Sequence, residues 1–509
     1  MSIAPSPPKD IRALTTSPSE RPALLLPSFS RTVSSFPALM VALLIGKVFY
    51  VCRDRIADPD LWWHLRNAQF FFTNHKFPDV DTFSFTAAGS LWINHEWLSE
   101  IFYYAAFNAL GLRGVFLLCT FVLALLMAAI FLLSFNEAKD PFAAAIAAFS
   151  GSVLAAVGFG PRTQSFGWLC LVGVYAIMLR FRSTRRGSLW LIPVLFAIWI
   201  NCHGSWLIGL AIYAIFVGAG LIKRDIGRLA AAPWSAIDLT RLIAAGIASV
   251  AALFVNPFGY RLVLYPFDMI FRQKLNVGHV EEWASVNFND PSGTLVAVAL
   301  AAVFAIAIIG RKQWRIDDAL LTAFVLYCGL SHMRFLLLAG IVLPPIVSPH
   351  LGKISSYDPR RERRFINSIL LALVAGACIL GFPSVKKLNG EQSQYFPIRA
   401  IDFLRANPQG GNMLNVYDWG GYLEWNLPQS PTFIDSRTDI FEYNGTLKDY
   451  LNITGLINSD ELLARHQISY ILYPSDTPLA YFLSKDIHWE RIYRDDQAVI
   501  YRRVQHLRS

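Results

Sequence analysis

Charged residues are scarce in this chain. Asp, Glu, Lys and Arg make up 16% of its 509 residues, whereas an average soluble domain contains about 25%. Hydrophobic residues make up 54%, and apolar runs of about 17–25 residues, the length of a helix that crosses a bilayer, recur along the first three quarters of the chain. The shortage of charge excludes an ordinary soluble domain, and the runs predict an α-helical polytopic membrane protein.

Cysteines are also few, and their spacing argues against two kinds of site. None lies in a CxxC motif and all lie in or beside apolar segments, so neither a zinc site nor a disulfide framework is indicated. The six are Cys52, Cys119, Cys170, Cys202, Cys328 and Cys378. The net charge of +9 comes from short basic clusters between apolar runs. That pattern is typical of membrane topology rather than of nucleic-acid binding.

The order of polar and apolar segments predicts a tail followed by many spans. Residues 1–32 are rich in Ser and Pro with almost no apolar periodicity, which predicts a disordered cytoplasmic tail. Hydropathy then predicts about eleven transmembrane helices. They are near residues 34–52, 114–134, 141–158, 165–181, 188–201, 204–222, 240–256, 292–310, 317–330, 335–350 and 365–382.

The connections between these helices sort into two alternating sets. One set contains the basic loops "RFRSTRRGS", "KRDIGR", "RKQWRIDD" and "GKISSYDPRRERR", which the positive-inside rule assigns to the cytoplasm. The N-terminus is then cytoplasmic and the tail after residue 383 lies on the outer side. Because the same sorting groups the Asp, Glu, His, Asn and Trp clusters on the outer face, we expect the functional site there.

Three regions follow from this topology. Residues 33–382 form the transmembrane domain, with long outer loops at 53–113 and 257–291. Residues 97–112 are apolar but short and contain Glu100, which predicts a helix in the membrane interface. Residues 383–509 combine strand-like segments ("NMLNVYDWGGYLEW", "PTFIDSRTDIF", "ISYILYP", "QAVIYRR") with helical ones around 397–406 and 459–466. They predict an extracytoplasmic α/β domain.

The first outer loop opens with an acid pair, Asp58-Pro59-Asp60. Pro59 is expected to end the first transmembrane helix and to fix both carboxylates in a turn at the membrane surface. The tryptophans that follow, Trp62 and Trp63, fit an aromatic belt. Two interpretations stay open: the acids cap a helix that begins near Leu61, or they take part in chemistry.

This layout resembles a known superfamily. A first span, an outer loop with a D-x-D or E-x-D acid pair, an interfacial helix, many further spans and an outer domain are similar to the GT-C membrane glycosyltransferases, which use polyprenyl-phosphate-linked sugars. Over residues 40–100 the likeness is to oligosaccharyltransferase catalytic subunits, with Asp60 as the second acid and Arg66 as the arginine of the helix. The outer domain has no WWD-type signature. Protein-mannosyl and aminoarabinosyl transferases share the layout and lack that signature.

The resemblance implies an inverting glycosyltransferase. It would move a sugar from a polyprenyl-phosphate donor to a lipid, glycan or protein acceptor on the outer face of a bacterial inner (plasma) membrane. Such a reaction needs a carboxylate that takes the acceptor's proton and cations or a metal beside the departing phosphate. Asp60 and Asp58 are the predicted catalytic residues. A divalent metal at this acidic loop stays open.

Further polar residues lie at the outer ends of the predicted spans. Each can be a helix cap or a side chain that reaches the interface, or a group that binds substrate. His95 and Glu96 lack the HExxH spacing of zinc proteases, and they form either a second acidic cluster or a helix start. The predicted substrate-binding residues are Arg66, His95, Glu96, Arg162, Asn201, His203, Arg261, Glu282, His332 and Arg334.

In the outer domain, acidic and basic residues lie close together in sequence. Asp418, Asp435, Arg437 and Asp439 are expected in turns and in an internal salt bridge. An edge that binds the acceptor is the functional alternative.

Other classes of function compete with glycosyl transfer. A transporter or flippase of lipid-linked glycans often shows internal repeats with paired broken spans, and no repeat is evident in this sequence. An O-antigen polymerase or ligase would depend on external arginines rather than on an acid pair.

Overall fold

The computed structural model of the protein describes residues 32–279, 283–309, 312–352 and 357–504. Helices dominate it. Those of the first three quarters are α1 (Phe36–Arg53), α2 (Pro59–Asn74), α3 (Trp97–Leu110), α4 (Leu112–Ala138), α5 (Pro141–Ala155), α6 (Gln164–Thr184), α7 (Leu191–Cys202), α8 (Trp206–Ala219), α9 (Ala236–Ala252), α10 (Tyr260–Arg272), α11 (Lys274–His279), α12 (Pro291–Ile309), α13 (Ile316–Ser331), α14 (Leu336–Val347) and α15 (Arg364–Leu380). Two short strands, β1 (Leu229–Ala230) and β2 (Trp314–Arg315), pair in parallel.

Each predicted transmembrane segment overlaps one of these helices. By length and composition, five described helices can cross a membrane: Phe36–Arg53, Leu112–Ala138, Pro141–Gly158, Gln164–Thr184 and Met333–His350. Another is added if α15 and α16 (Val385–Tyr395), which meet at 64°, form one bent span. The chain is therefore a multi-pass membrane protein. The number eleven stays a prediction, because α7 and α8 are apolar but short.

The helical bundle is built around α4, which packs against α1, α5, α6 and α14. The approach of α5 to α14 depends on glycine. A β-carbon at Gly151 would lie 2.6 Å from the carbonyl oxygen of Gly340, and one at Gly340 would lie 2.5 Å from that of Gly151. Small residues at such crossings let membrane helices pack through their backbones.

The acid loop differs from its predicted geometry in one respect. The expectation that Pro59 ends the first transmembrane helix is wrong, because α1 ends at Arg53. Pro59 is instead the first residue of α2. Proline suits this position, since a first helical residue needs no N–H donor and the fixed φ of proline matches the helix.

The C-terminal region contains a four-stranded sheet in the order β3-β4-β6-β5, in which β3 and β4 are parallel and the other neighbours antiparallel. The strands are β3 (Asn412–Asn415), β4 (Ile468–Pro474), β5 (Trp489–Arg494) and β6 (Ala498–Arg503). The helices after α16 are α17 (Ile398–Ala406), α18 (Gly420–Asn426), α19 (Thr438–Tyr443), α20 (Thr446–Thr454), α21 (Ser459–Arg465) and α22 (Pro478–Leu483). The two predicted helices are confirmed as α17 and α21.

The strand expected in "NMLNVYDWGGYLEW" is confirmed only over its first four residues, β3, because the rest of the segment contains α18. The strand expected in "PTFIDSRTDIF" is wrong, because α19 begins within this segment. Packing explains α18. It lies directly on α2, so closely that a β-carbon at Gly421 would be 3.0 Å from the backbone nitrogen of Trp63, and this burial outweighs local strand preference. Ser84 of the first outer loop also pairs with Thr432. The C-terminal region thus contacts the first outer loop, and a domain boundary at residue 383 stays a prediction.

Candidate active site

A cavity of about 670 Å³ lies between the start of α2, the segment before α3, the first turn of α8, the middle of α10 and the C-terminal region. Seven predicted site residues line it: Asp58, Asp60, His95, Glu96, Arg162, His203 and Arg334. They come from separate stretches of the chain, so the fold brings together residues that the sequence keeps apart.

Asp58 has two structural roles at the start of α2. It is the N-cap residue, and its Oδ1 accepts a hydrogen bond from the backbone N–H of Asp60 at 3.0 Å. Its Oδ2 lies 3.3 Å from Nε of Arg162. The side chain is buried, with 6% of the residue exposed. Asp58 therefore fixes both the helix start and the position of Arg162.

Asp60 is the second residue of α2, lines the cavity and is half-buried. The indole Nε1 of Trp63 donates to Asp60 Oδ1 at 3.2 Å and to Ser436 Oγ at 3.0 Å. This shared donor joins the start of α2 to the C-terminal region. Because Asp60 is the more exposed of the two acids, its carboxylate is the better placed to meet a substrate.

Cationic groups lie on the same cavity. Arg162 contacts Asp58, and the guanidinium carbon of Arg334 lies 4.5 Å from the centre of the Trp283 ring. Stacking on an aromatic face suits the planar guanidinium. His203 lies on this wall as well, and these side chains give the cavity groups that can donate hydrogen bonds to an anion.

Arg437, another cation of the wall, is surrounded by carboxylates. Its Nη2 lies 2.6 Å from Asp435, 2.8 Å from Asp81 and 3.5 Å from Glu424. Burial, together with the charge of Asp435, raises the pKa of Glu424 well above its usual range. Burial would also raise the pKa of Asp435, but the charge and hydrogen bonds of Arg437 bring it below its usual value. The charge of Arg437 is thus balanced inside the wall.

Three imidazoles surround the carboxylate of Glu96. Its Oε2 lies 3.4 Å from Nε2 of His64, and its Oε1 lies 3.2 Å from Nε2 of His203 and 3.5 Å from Nε2 of His95. Behind this layer, His64 Nδ1 lies 2.9 Å from Oε1 of Glu100. A chain of ionisable groups therefore runs from the cavity into the space between α2 and α3.

Two predicted residues on helices lie away from the cavity lining. Arg66 donates to Gln69 Oε1 at 2.6 Å, and its guanidinium lies over the Phe83 ring. Arg261 is exposed on α10. For Arg66 the helix itself gives the reason: six residues at about 100° each place it far around α2 from Asp60.

Three more of the predicted substrate-binding residues are not among the described residues that line the cavity. Asn201 is buried, donates to the carbonyls of Ala197 and Val255, and accepts from Trp97 Nε1. His332 Nδ1 donates to the carbonyl of Trp283 at 2.7 Å and does not line the cavity. Glu282 lies outside the described residues.

Sequence reasoning missed His64, although a signal was present. It follows Asp60 by four residues, which places the two on one face of a helix. Its partners Glu96 and Glu100 lie on another segment, so the pairing itself needed the fold. Among the residues that the structure describes, no group of three or more His, Cys, Asp or Glu is arranged to hold a metal ion.

Known structures share this architecture. No protein-family model and no curated protein sequence matches the chain. The crystal structure of the Archaeoglobus fulgidus oligosaccharyltransferase, tethered to an acceptor peptide with the NVT sequon, aligns with a TM-score of 0.54 at 13% identity, over 93% of this chain and 75% of that one. ArnT from Cupriavidus metallidurans, bound to undecaprenyl phosphate, aligns with a TM-score of 0.53 at 14% identity, over 92% and 98%. Both are GT-C glycosyltransferases, and the chain has a GT-C-like fold.

Proposed function

We propose that the protein is an inverting glycosyltransferase that moves a sugar from a polyprenyl-phosphate donor to a lipid, glycan or protein acceptor on the outer face of a bacterial inner membrane. The observation that carries the proposal is the cavity itself. It combines an accessible carboxylate, Asp60, with Arg162, Arg334 and His203 in a single space. Glycosyl transfer from a phosphate needs these two kinds of group together.

Asp60 is the proposed base. Its carboxylate would accept the proton of the acceptor hydroxyl as that oxygen attacks the sugar from the side opposite the phosphate. Trp63 holds one carboxylate oxygen at 3.2 Å, which fixes the orientation of the group. Its place in the first turn of α2 puts the carboxylate on the cavity wall.

The cations are proposed to bind the donor's phosphate. Guanidinium groups can offer two parallel hydrogen bonds to phosphate oxygens, and they stabilise the charge that develops when the sugar–phosphate bond breaks. Arg162 is oriented by Asp58 at 3.3 Å and Arg334 by the Trp283 ring at 4.5 Å.

The remaining wall suits the lipid part of such a donor. Where α8 and α10 face the cavity, the lining is mainly apolar; it includes Leu207, Ile208, Pro266, Met269 and Ile270, and Phe335 from the turn before α14 adds to it. Apolar surface beside a cationic wall fits an amphiphilic phosphate. The bound undecaprenyl phosphate of ArnT, a protein of similar fold, supports the same ligand class.

The proposal is tested by changing one acid. Asp60→Asn keeps the size and the hydrogen-bond acceptor of the side chain but removes its basicity. Loss of a general base typically lowers a rate by about a hundred- to ten-thousand-fold, so the variant should fold and insert yet transfer almost no sugar. The measurement is transfer of radiolabelled sugar in membranes supplied with polyprenyl-phosphate-linked donors.

Asp58→Asn is the matched control. It should keep the helix cap, because Asn and Asp are about equally good N-cap residues, but it removes the charge that faces Arg162, and we expect it to retain part of the activity. Wild-type transfer by Asp60→Asn would reduce the acid pair to a helix cap. Donor binding without transfer by the wild type would favour a transporter or flippase instead.

A further inference from the structure

The surroundings of Glu96 fix the direction of its hydrogen bonds. The backbone N–H of Ser205 donates to Nδ1 of His203 at 3.0 Å, so the proton of a neutral His203 is on Nε2, which faces Glu96 Oε1 at 3.2 Å. The amides of Asn67 and Asn94 donate to Glu100 at 3.2 and 2.6 Å. His64 is held against the same carboxylate through Nδ1.

This arrangement leaves His64 between two acids. With Nδ1 on Glu100, its Nε2 faces Glu96 Oε2 at 3.4 Å. Trp63 covers the imidazole, with ring centres 3.6 Å apart. The imidazole therefore cannot turn away from Glu96 without breaking the bond to Glu100.

Burial makes Glu96 a carboxyl that holds its proton close to neutrality. Desolvation raises its pKa to about 7, against the lowering effect of the His64 charge. Desolvation lowers the pKa of His95 to about 3, and it lowers that of His203 well below its usual range, so both imidazoles are neutral and His203 donates from Nε2. Within the part of the chain that the structure describes, the titratable and charged groups that face this cluster are Asp60, His64, His95, Glu100, His203, Tyr265 and Arg334.

We propose that Glu96 is a catalytic acid that donates a proton to the leaving lipid phosphate, and that His64 is a positioning residue that sets its charge and orientation. The inference rests on the proposed function. Glu96 lines the cavity together with Arg162 and Arg334, the cations assigned to the phosphate, so its proton is available to the oxygen from which the sugar departs.

The step balances within the site. The acceptor oxygen forms a bond to the anomeric carbon and gives its proton to Asp60. The bond from that carbon to the phosphate oxygen breaks, and its electron pair stays on the oxygen. That oxygen takes the proton of Glu96 and leaves as a hydrogen phosphate monoester. Transfer of the proton from Asp60 back to Glu96, through solvent, restores the starting state.

The test measures phosphate binding separately from turnover. Undecaprenyl phosphate is titrated into the full-length protein in nanodiscs from about pH 6 to about pH 9, and binding is followed by tryptophan fluorescence, since Trp63, Trp92 and Trp283 line the cavity. Wild-type affinity should fall above about pH 7, where ionised Glu96 repels the anion. Glu96→Gln should bind across the whole range without this fall, because its amide is a donor at every pH. The titration of the phosphate itself, with a second pKa near 6, is common to all variants and cancels in the ratio of their affinities.

Turnover and two further variants complete the test. Glu96→Gln should transfer sugar roughly a hundred-fold more slowly or worse, although it binds. His64→Gln removes a cation that lowers the pKa of Glu96, so the fall in affinity should move to higher pH; a structural role alone would leave its midpoint unchanged. Glu490→Gln, exposed on β5, should behave as wild type.

Two results would contradict these expectations in different ways. Identical pH dependence of binding in wild type and Glu96→Gln would overturn the role of Glu96 alone. No binding by the wild type at any pH would overturn the proposed function and this step with it.

Discussion

Arg437 illustrates at the scale of one residue how the cavity wall is held. Its guanidinium meets Asp435 and Glu424 from the C-terminal region and Asp81 from the first outer loop, and it lies between the rings of Phe83 and Trp92. The salt bridge to Asp435 was predictable from their proximity in sequence and is confirmed. The contact to Asp81 was not predictable, since no local pattern connects residues so far apart along the chain.

Removing this cation should destabilise the folded protein strongly. In Arg437→Met the carboxylates lose their buried partner, and breaking a buried ion pair from one side costs about 3–5 kcal/mol. We expect a clear loss of thermal stability in detergent, measured by the unfolding of purified protein. Arg502→Met is the control, because its pair with Glu490 is about half exposed and such surface pairs contribute about 0–1 kcal/mol. Equal small losses in both variants would show that the Arg437 cluster is not what holds the wall.

Individual residues also show which parts of the site could be predicted from the sequence. Asp60, Arg162, His203 and Arg334 were grouped by sorting charged loops to one face, and the fold does bring them to one cavity. Arg66 was carried over from a family likeness, and helical spacing alone separates it from Asp60. Loop sorting tells which face a residue is on but not which way its side chain points.

At the scale of elements, the described part of the segment 257–291 is attached to the C-terminal region by two sets of hydrogen bonds. Tyr265 of α10 donates to Asp439 at 3.2 Å, and the carboxylate of Glu442 accepts from the backbone N–H groups of Leu275 and Asn276 at 2.9 and 2.7 Å. A carboxylate at the first N–H groups of a helix stabilises that helix end. The position of α11, whose residue Asn276 lines the cavity, therefore depends on an element more than a hundred residues later in the chain.

Removing the hydrogen bonds between Glu442 and the start of α11 should make this helix locally less stable. Glu442→Ala leaves the N–H groups of Leu275 and Asn276 without their acceptor, so hydrogen exchange over 274–279 should become faster while that of β4 stays unchanged. Mass spectrometry of deuterated peptides measures both. Glu461→Ala, an exposed acid of α21, should alter neither segment. Unchanged exchange over 274–279 in Glu442→Ala would mean that other contacts hold α11.

Helices and strands were predicted well where an apolar pattern extends over many residues. They were predicted poorly where tertiary packing determines the secondary structure. The apolar segments that became helices are read directly from hydropathy, because a membrane leaves the backbone few alternatives. The segment "NMLNVYDWGGYLEW" was expected to form a strand, and only its start does. Gly421 in its second half permits the close approach to α2 at Trp63, and that tertiary contact cannot be seen in a single stretch of sequence.

At the scale of the whole molecule, position in the membrane determines whether the proposed chemistry can occur. The hydropathy and basic loops predict which residues share a face, and the fold agrees with GT-C enzymes over nearly the whole chain. The sequence could not predict that Ser436, Arg437 and Asp439 of the C-terminal region would line the cavity. These residues reach the cavity because α18 packs on α2, and those two helices lie near opposite ends of the chain.

Orientation is the last prediction. The basic loops place the connection after α6 in the cytoplasm and the C-terminal region outside. A cysteine at Asp496, whose side chain is fully exposed, should react with a membrane-impermeant maleimide in intact cells. One at exposed Arg186 should react only after the membrane is opened. The native thiols are buried or half-buried, so the wild type gives the background. If Asp496→Cys were labelled only in opened cells, the cavity would face the cytoplasm, and Asp60 could not act on a donor presented from the outer leaflet.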